Sequence, residues 1–197
     1  MAASLNAHGD HRDYTDEEKQ RLTSNLVGVT GEIHSGQWNA RPVSTETLSE
    51  LHERLFRGVR DHAGRPRCKG WGAERLVFGP NRSHHRDEVA NALEMAFQEA
   101  QRSIRSLLDN PDDPKYEHHA VYIAAWIHAK VIQIHPFEDG NGRSSRLLMA
   151  KVLVDLGMQS IPIEATKQEY TNLLNNYFRD DQIQPIVDLF LRLADPG

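Results

Sequence analysis

Residues 120–158, AVYIAAWIHAKVIQIHPFEDGNGRSSRLLMAKVLVDLGM, set two helix-forming stretches on either side of a polar loop. The first part is nearly all apolar and predicts a buried central helix running from about Tyr116 to Ile134. Pro136 disfavours helical backbone in the residue before it, so that helix must end at or just before His135. Gly140 and Gly142 allow a tight turn and close backbone approach to a ligand. A second helix starts near Gly142 and ends at Gly157. The N–H groups of a first helical turn have no intrahelical acceptor, and the dipole adds positive character, so the loop leads into an anion site.

The side chains of the loop fit that site. Arg143 and Arg146 are three residues apart and share one face near the positive end of the second helix. Two guanidiniums there repel each other and oppose the dipole, a conflict that a polyphosphate would relieve. Asp139 offers one carboxylate beside the phosphates, which suits Mg²⁺, an ion that takes few protein ligands and several phosphate oxygens. His135 stands at the loop entrance with an unperturbed pKa near 6.5, suited to accept a proton at neutral pH. Together these groups suit attack by a hydroxyl on a phosphate of a bound nucleotide.

Outward from the loop, the chain reads as mainly helical. Leu48, Leu51, Leu55 and Val59 form one apolar stripe on a helix capped by Ser44 or Thr45 and closed by Gly64. The Gly-, Pro- and Arg-rich stretch that follows contains Arg75-Leu76-Val77-Phe78, a short strand bounded by turn signals, and predicts a β-hairpin. Asp87 to Asp109 keeps a helical period before Pro111 and Pro114 interrupt the chain. Two shorter helices, about Thr166 to Phe178 and Pro185 to Leu193, close it. Near the start, Thr15 can cap a short helix whose first turn holds Asp16, Glu17 and Glu18. Residues 28–42, with three glycines and no clear period, read as a loop.

With 197 residues and a formal charge of −5, the chain suits one domain with an extension and lacks a whole-molecule basic field, so no direct nucleic-acid binding is expected. Cys68 is the only cysteine, which excludes an intrachain disulfide. The first residues carry acids and no apolar core, unlike a secretory signal, and no stretch approaches the roughly 20 apolar residues that span a bilayer. No membrane association is expected, and the expected compartment is the cytoplasm, with export into a host cell left open. His84-His85 and His118-His119 lack the spacing of a zinc site.

The loop is similar to the signature of the Fic family (Fic/Doc, or Fido), H-P-F-x-[D/E]-G-N-G-R-x-x-R, with every specified position present. The resemblance extends to LSELHERLFRGVRDHAG as an opening helix, WGAERLVFG as a hairpin flap, His128 seven residues before His135, and EYTNLLNN as a helix on the nucleotide side. It implies a helical bundle with a small β-hairpin flap over residues 43–194, preceded by an extension, residues 1–42, with a short helix and loop. It also implies transfer of AMP from ATP to a Ser, Thr or Tyr hydroxyl of a target protein, with Mg²⁺. In that scheme His135 is the general base and Asp139 holds Mg²⁺. Gly140, Asn141 and Gly142 form the anion hole, Arg143 meets the β-phosphate and Arg146 the γ-phosphate. Phe137 is a core anchor. Tyr170, Asn176 and Tyr177 are candidates for the adenine pocket. The flap from Arg75 to Gly79 would pair with an extended segment of the target by strand addition.

Within the family resemblance, the kinase-like Doc branch has Lys at the position of Gly142, so the glycine favours nucleotidyl transfer. Transfer of UMP, phosphate or phosphocholine through the same loop stays an alternative, because the loop addresses only phosphates. A toxin-like module that merely binds a partner is a further alternative, against which the intact His135 argues. Many relatives carry an inhibitory helix, [S/T]-x-x-x-E-[G/N]. Ser49 and Glu53 have its spacing, but Arg54 follows and the pair lies inside a predicted helix of the domain. The expectation is therefore that a separate small, antitoxin-like protein supplies the restraint.

Overall fold

The computed structural model describes residues 14–161 and 167–194. Seven helices and one small hairpin are present among them: α1 Asp16–His34, α2 Thr45–Phe56, β1 Val77–Phe78, β2 Asn81–Arg82, α3 Val89–Leu108, α4 Tyr116–Ile134, α5 Asn141–Asp155, α6 Lys167–Asp180 and α7 Gln184–Ala194. The architecture is the expected mainly helical bundle with a hairpin flap. Helix α4 lies at its centre, packed against α3, α5, α6 and α7, while α1 and α2 pack on each other and on α5. The nearly unbroken apolar run of α4 explains its place: Ala120, Val121, Ile123, Ala124, Ile127, Val131, Ile132 and Ile134 are all buried. A helix apolar on all sides is stable in water only when covered on all sides.

Ser44 caps α2, its hydroxyl accepting from Thr47 N–H at 3.2 Å. Leu48, Leu51 and Leu55 are fully buried, as their spacing requires. The antiparallel hairpin pairs Val77 with Arg82 and Phe78 with Asn81. It is shorter than the predicted strand, since Arg75 and Leu76 lie outside it.

The main departure is α1. The expected short helix followed by a loop from Gly28 is instead one 19-residue helix that continues through Gly28 and Gly31 to His34. Thr15 and Glu18 form a full capping box at its start. Each interior glycine costs about 1 kcal/mol of helix propensity. Burial of Leu22, Val29 and Ile33, spaced seven and four residues apart on one face, offsets that cost. This face joins the same apolar core as α2, α4 and α5. The predicted start of α6 at Thr166 lies outside the described residues. None of the described helices is long and apolar enough to cross a membrane.

Candidate active site

His135 caps the C-terminus of α4 in the left-handed conformation, with φ 56° and ψ 61°. That position usually carries glycine or asparagine, because a Cβ is strained there. The strain turns the chain out of the helix and directs the ring into the site. Its Nδ1 lies 3.2 Å from the Ile132 carbonyl oxygen. A carbonyl only accepts, so Nδ1 carries the proton and the lone pair falls on Nε2, the tautomer of a base. The ring is buried and stacks on Phe78 of the flap, with centroids 4.3 Å apart and planes 15° from parallel.

Arg67 holds the backbone of the same residue. Its Nε and Nη2 donate to the His135 carbonyl at 3.0 and 2.6 Å, and its own N–H donates to Pro136 O at 2.7 Å. The guanidinium also reaches the carbonyls of Ala73 and His84, at 3.0 and 3.2 Å. One buried arginine thus joins the base of the flap to the loop. Glu138 adds a second tie, accepting from Ala73 N–H.

The loop itself closes through Asn141, whose side chain accepts from Phe137 N–H and donates to Phe137 O, both at 2.8 Å. The amide of Asn141 is therefore a loop clamp. Gly140 has φ 76°, and a Cβ there would lie 2.1 Å from the Phe56 ring, so both conformation and space demand glycine. Phe137 is fully buried and stacks on His52, with centroids 3.8 Å apart. His52 accepts from Gly64 N–H at Nδ1, 2.8 Å, and donates from Nε2 to the Asp139 carbonyl, 3.0 Å. Burial drives its pKa down to about 4, against the pull of the Asp139 backbone and charge, so it is a neutral strut.

The Asp139 carboxylate is already paired. Arg60 donates to Oδ2 from Nε at 2.9 Å and also from Nη2, and both side chains are more than nine-tenths buried. The Tyr14 hydroxyl donates to the same oxygen at 2.5 Å and accepts from Arg143 Nη2 at 2.8 Å. Arg143 lies 3.4 Å from Oδ1. The mutual repulsion read in the sequence between Arg143 and Arg146 is thus met partly by Asp139. The Arg60 and Tyr14 bonds all fall on Oδ2, so a divalent cation held at Oδ1 would not require Arg60 to leave.

Arg146 is hydrogen-bonded to the Tyr170 hydroxyl, which also bonds His128 Nε2. Burial pushes the Tyr170 pKa up, and Arg146 opposes it. Tyr170 is therefore a buried link from Arg146 to α4, and His128 reaches the site through it. Asn176 is exposed and bonds Arg179 at 3.2 Å, while its neighbour Asn175 accepts from Asn81 of the flap at 2.7 Å. Tyr177 is buried in the core. Arg143 and Arg146 line a groove of about 1020 Å³ between α5 and α1, where Leu26, Thr30 and His34 face them.

Tyr14, His52, Arg60, Arg67 and Asn175 were not singled out from the sequence. Only His52 had a usable signal, since it sits four residues after Leu48 on the buried stripe of α2. The described residues include no group of three or more His, Cys, Asp or Glu side chains arranged for a metal ion.

A family model described as the Fic/DOC family matches residues 42–153. Protein adenylyltransferase Fic of Nematostella vectensis is 36% identical over 78 residues, 39% of this chain and 18% of that protein. The protein of the same name from Drosophila yakuba is 40% identical over 79 residues, 40% of this chain and 13% of that one. The match thus spans less than a fifth of either relative. Among solved structures, a Fic domain containing signaling protein from Bacteroides thetaiotaomicron superposes with a TM-score of 0.66 at 20% identity, covering 94% of this chain and 70% of that one. BepC of Bartonella tribocorum, solved with AMPPNP bound, gives 0.61 at 17% identity, covering 90% and 86%. At these identities the likeness is one of fold.

Proposed function

Since the chain belongs to the Fic/DOC family, we propose that it transfers AMP from ATP to a hydroxyl of a target protein. One observation carries this reading: His135 is held as the Nε2 base beside the N-terminus of α5, the helix that carries Arg143 and Arg146. A target hydroxyl oxygen attacks the α-phosphorus and forms the new O–P bond. Its proton passes to Nε2 of His135, the bond from the α-phosphorus to the bridging oxygen breaks, and pyrophosphate leaves. The N–H groups of the first turn of α5, with Arg143 and Arg146, stabilise the charge that builds on the phosphates. The adenylyltransferase names of the relatives support AMP as the group transferred, and the nucleotide-bound neighbour supports ATP as its source. An extended segment of the target is placed against the flap, whose Phe78 covers the base.

Parallel incubations with a lysate and ATP labelled at the α- or the γ-phosphate test the reaction. Protein label from the α-position alone is expected. Label from the γ-position alone would identify kinase chemistry and overturn the reading. A further arm with α-labelled UTP separates the two nucleotides.

A further inference from the structure

The flap and its base, from Arg65 to Arg86, are charged unlike the rest of the chain. This stretch holds Arg65, Arg67, Lys69, Arg75, Arg82 and Arg86 against one acid, Glu74. With +5 here and −5 overall, the remainder carries −10. Three of the six cations are used within the fold. Arg67 is the buried clamp, Arg75 donates to Ser83 O at 3.0 Å, and Arg86 donates to Gly72 O at 2.8 Å. Arg65, Lys69 and Arg82 are exposed and form no ion pair with the described residues. Cations gathered without counter-charges repel one another, and an acidic partner relieves that repulsion.

Their positions bear on the site. Arg65 stacks over Trp71, with its guanidinium carbon 4.2 Å from the ring centroid, which holds the side chain in place. Lys69 lies in the turn bridged by Cys68 and Trp71. That arm is tied to the loop by Arg67 N–H on Pro136 O and Ala73 N–H on Glu138. Arg82 stands opposite Val77 in the hairpin whose Phe78 stacks on His135. The exposed cations thus sit on two arms that both touch the loop of the base. The hairpin has two strands among the described residues, so each offers an open edge to an extended peptide. A nucleic acid is also an anion, but a polyanion reaching past the flap meets the acidic remainder of the molecule. A short acidic peptide segment is confined to the flap, since charges more than about 8 Å away are screened at physiological salt.

We propose that this flap selects acidic segments: the hydroxyl to be modified stands in an extended stretch whose Asp or Glu side chains meet Arg65, Lys69 and Arg82. This rests on the protein-target reading above. The three cations are binding residues for the target and take no part in the bond changes of the transfer.

Fluorescence anisotropy of the whole chain with short labelled peptides tests this. Each peptide has a central Tyr flanked on both sides by Glu, by Gln or by Lys, and a single-stranded DNA of similar charge serves as a fourth probe. The Glu peptide is expected to bind at least about tenfold tighter than the Gln peptide, and the Lys peptide more weakly still. The triple variant Arg65→Gln, Lys69→Gln and Arg82→Gln should bring the three peptides within about threefold, with its ADP dissociation constant held within about threefold of the wild type. Lys69→Glu with Arg82→Glu should turn the preference towards the Lys peptide. Equal or undetectable binding of the three peptides overturns the proposal, as does DNA binding tighter than the Glu peptide. In the lysate reaction, the triple variant should transfer about a tenth of the wild-type α-label. Undiminished transfer by that variant would sink this proposal and leave the transfer reading standing. Charge discrimination among the peptides with no α-label on any protein would sink the transfer reading and leave the acidic-segment surface.

Discussion

His135 combines two properties that pull against each other. Its left-handed backbone is a strained place for any side chain with a Cβ, and its tautomer is fixed by a contact within its own helical turn. The strain is tolerated because Arg67 clamps the carbonyl and Phe78 covers the ring. Replacing His135 with Ala should lower transfer by roughly a hundredfold to ten-thousandfold, the usual range for a lost general base. The ADP dissociation constant should stay within about threefold of the wild type, because Arg143 and Arg146, proposed to hold the phosphates, are untouched. An alanine variant with wild-type transfer rates would show that another group takes the proton. This residue was readable in the sequence because its loop is contiguous. Arg60 and Tyr14 were not, since they meet Asp139 across 79 and 125 residues and nothing local to either announces the contact.

Helix α1 shows where element-level reading failed. Gly28 and Gly31 argued for a loop, but a buried face of Leu22, Val29 and Ile33 draws the chain into a helix through both. A Cβ added to Gly31 meets nothing within 4 Å, and its backbone is helical. Gly31→Ala should therefore stabilise the protein by about 0.5–1 kcal/mol, seen as a higher urea midpoint at unchanged slope. A lower midpoint would mean that the helix needs the glycine. The flap is the opposite case: its position was readable, its anchoring was not. Asn81 of β2 donates to Asn175 of α6 at 2.7 Å. Asn175→Ala should loosen the flap and raise the KM for the protein target several-fold, while the ADP dissociation constant holds. A change confined to nucleotide affinity would place Asn175 on the nucleotide side instead.

For the whole molecule, the active-site loop and the core are one structure, joined at His52. This ring is buried between Phe56 and Phe137, and its two nitrogens hold Gly64 and the Asp139 carbonyl. Its pKa falls from 6.5 to about 4 in the fold because burial penalises the charged form. Between those values the unfolded chain binds a proton that the native protein does not, so stability rises with pH across this window. The contribution is complete above the unfolded value, shrinks as pH falls from 6.5 towards about 4, and amounts at most to about 3 kcal/mol. Other groups titrate in the same range, so the comparison that isolates His52 is the wild type against His52→Gln. Urea unfolding between about pH 4.5 and pH 7 should give a shallower rise of stability for the variant, by roughly 2 kcal/mol of that maximum. The variant should be less stable at neutral pH, where it loses the ring stacking, and relatively less penalised in acid. Parallel curves for the two proteins would show that His52 titrates in the native state as it does in the unfolded chain, and that burial does not keep the ring neutral in acid.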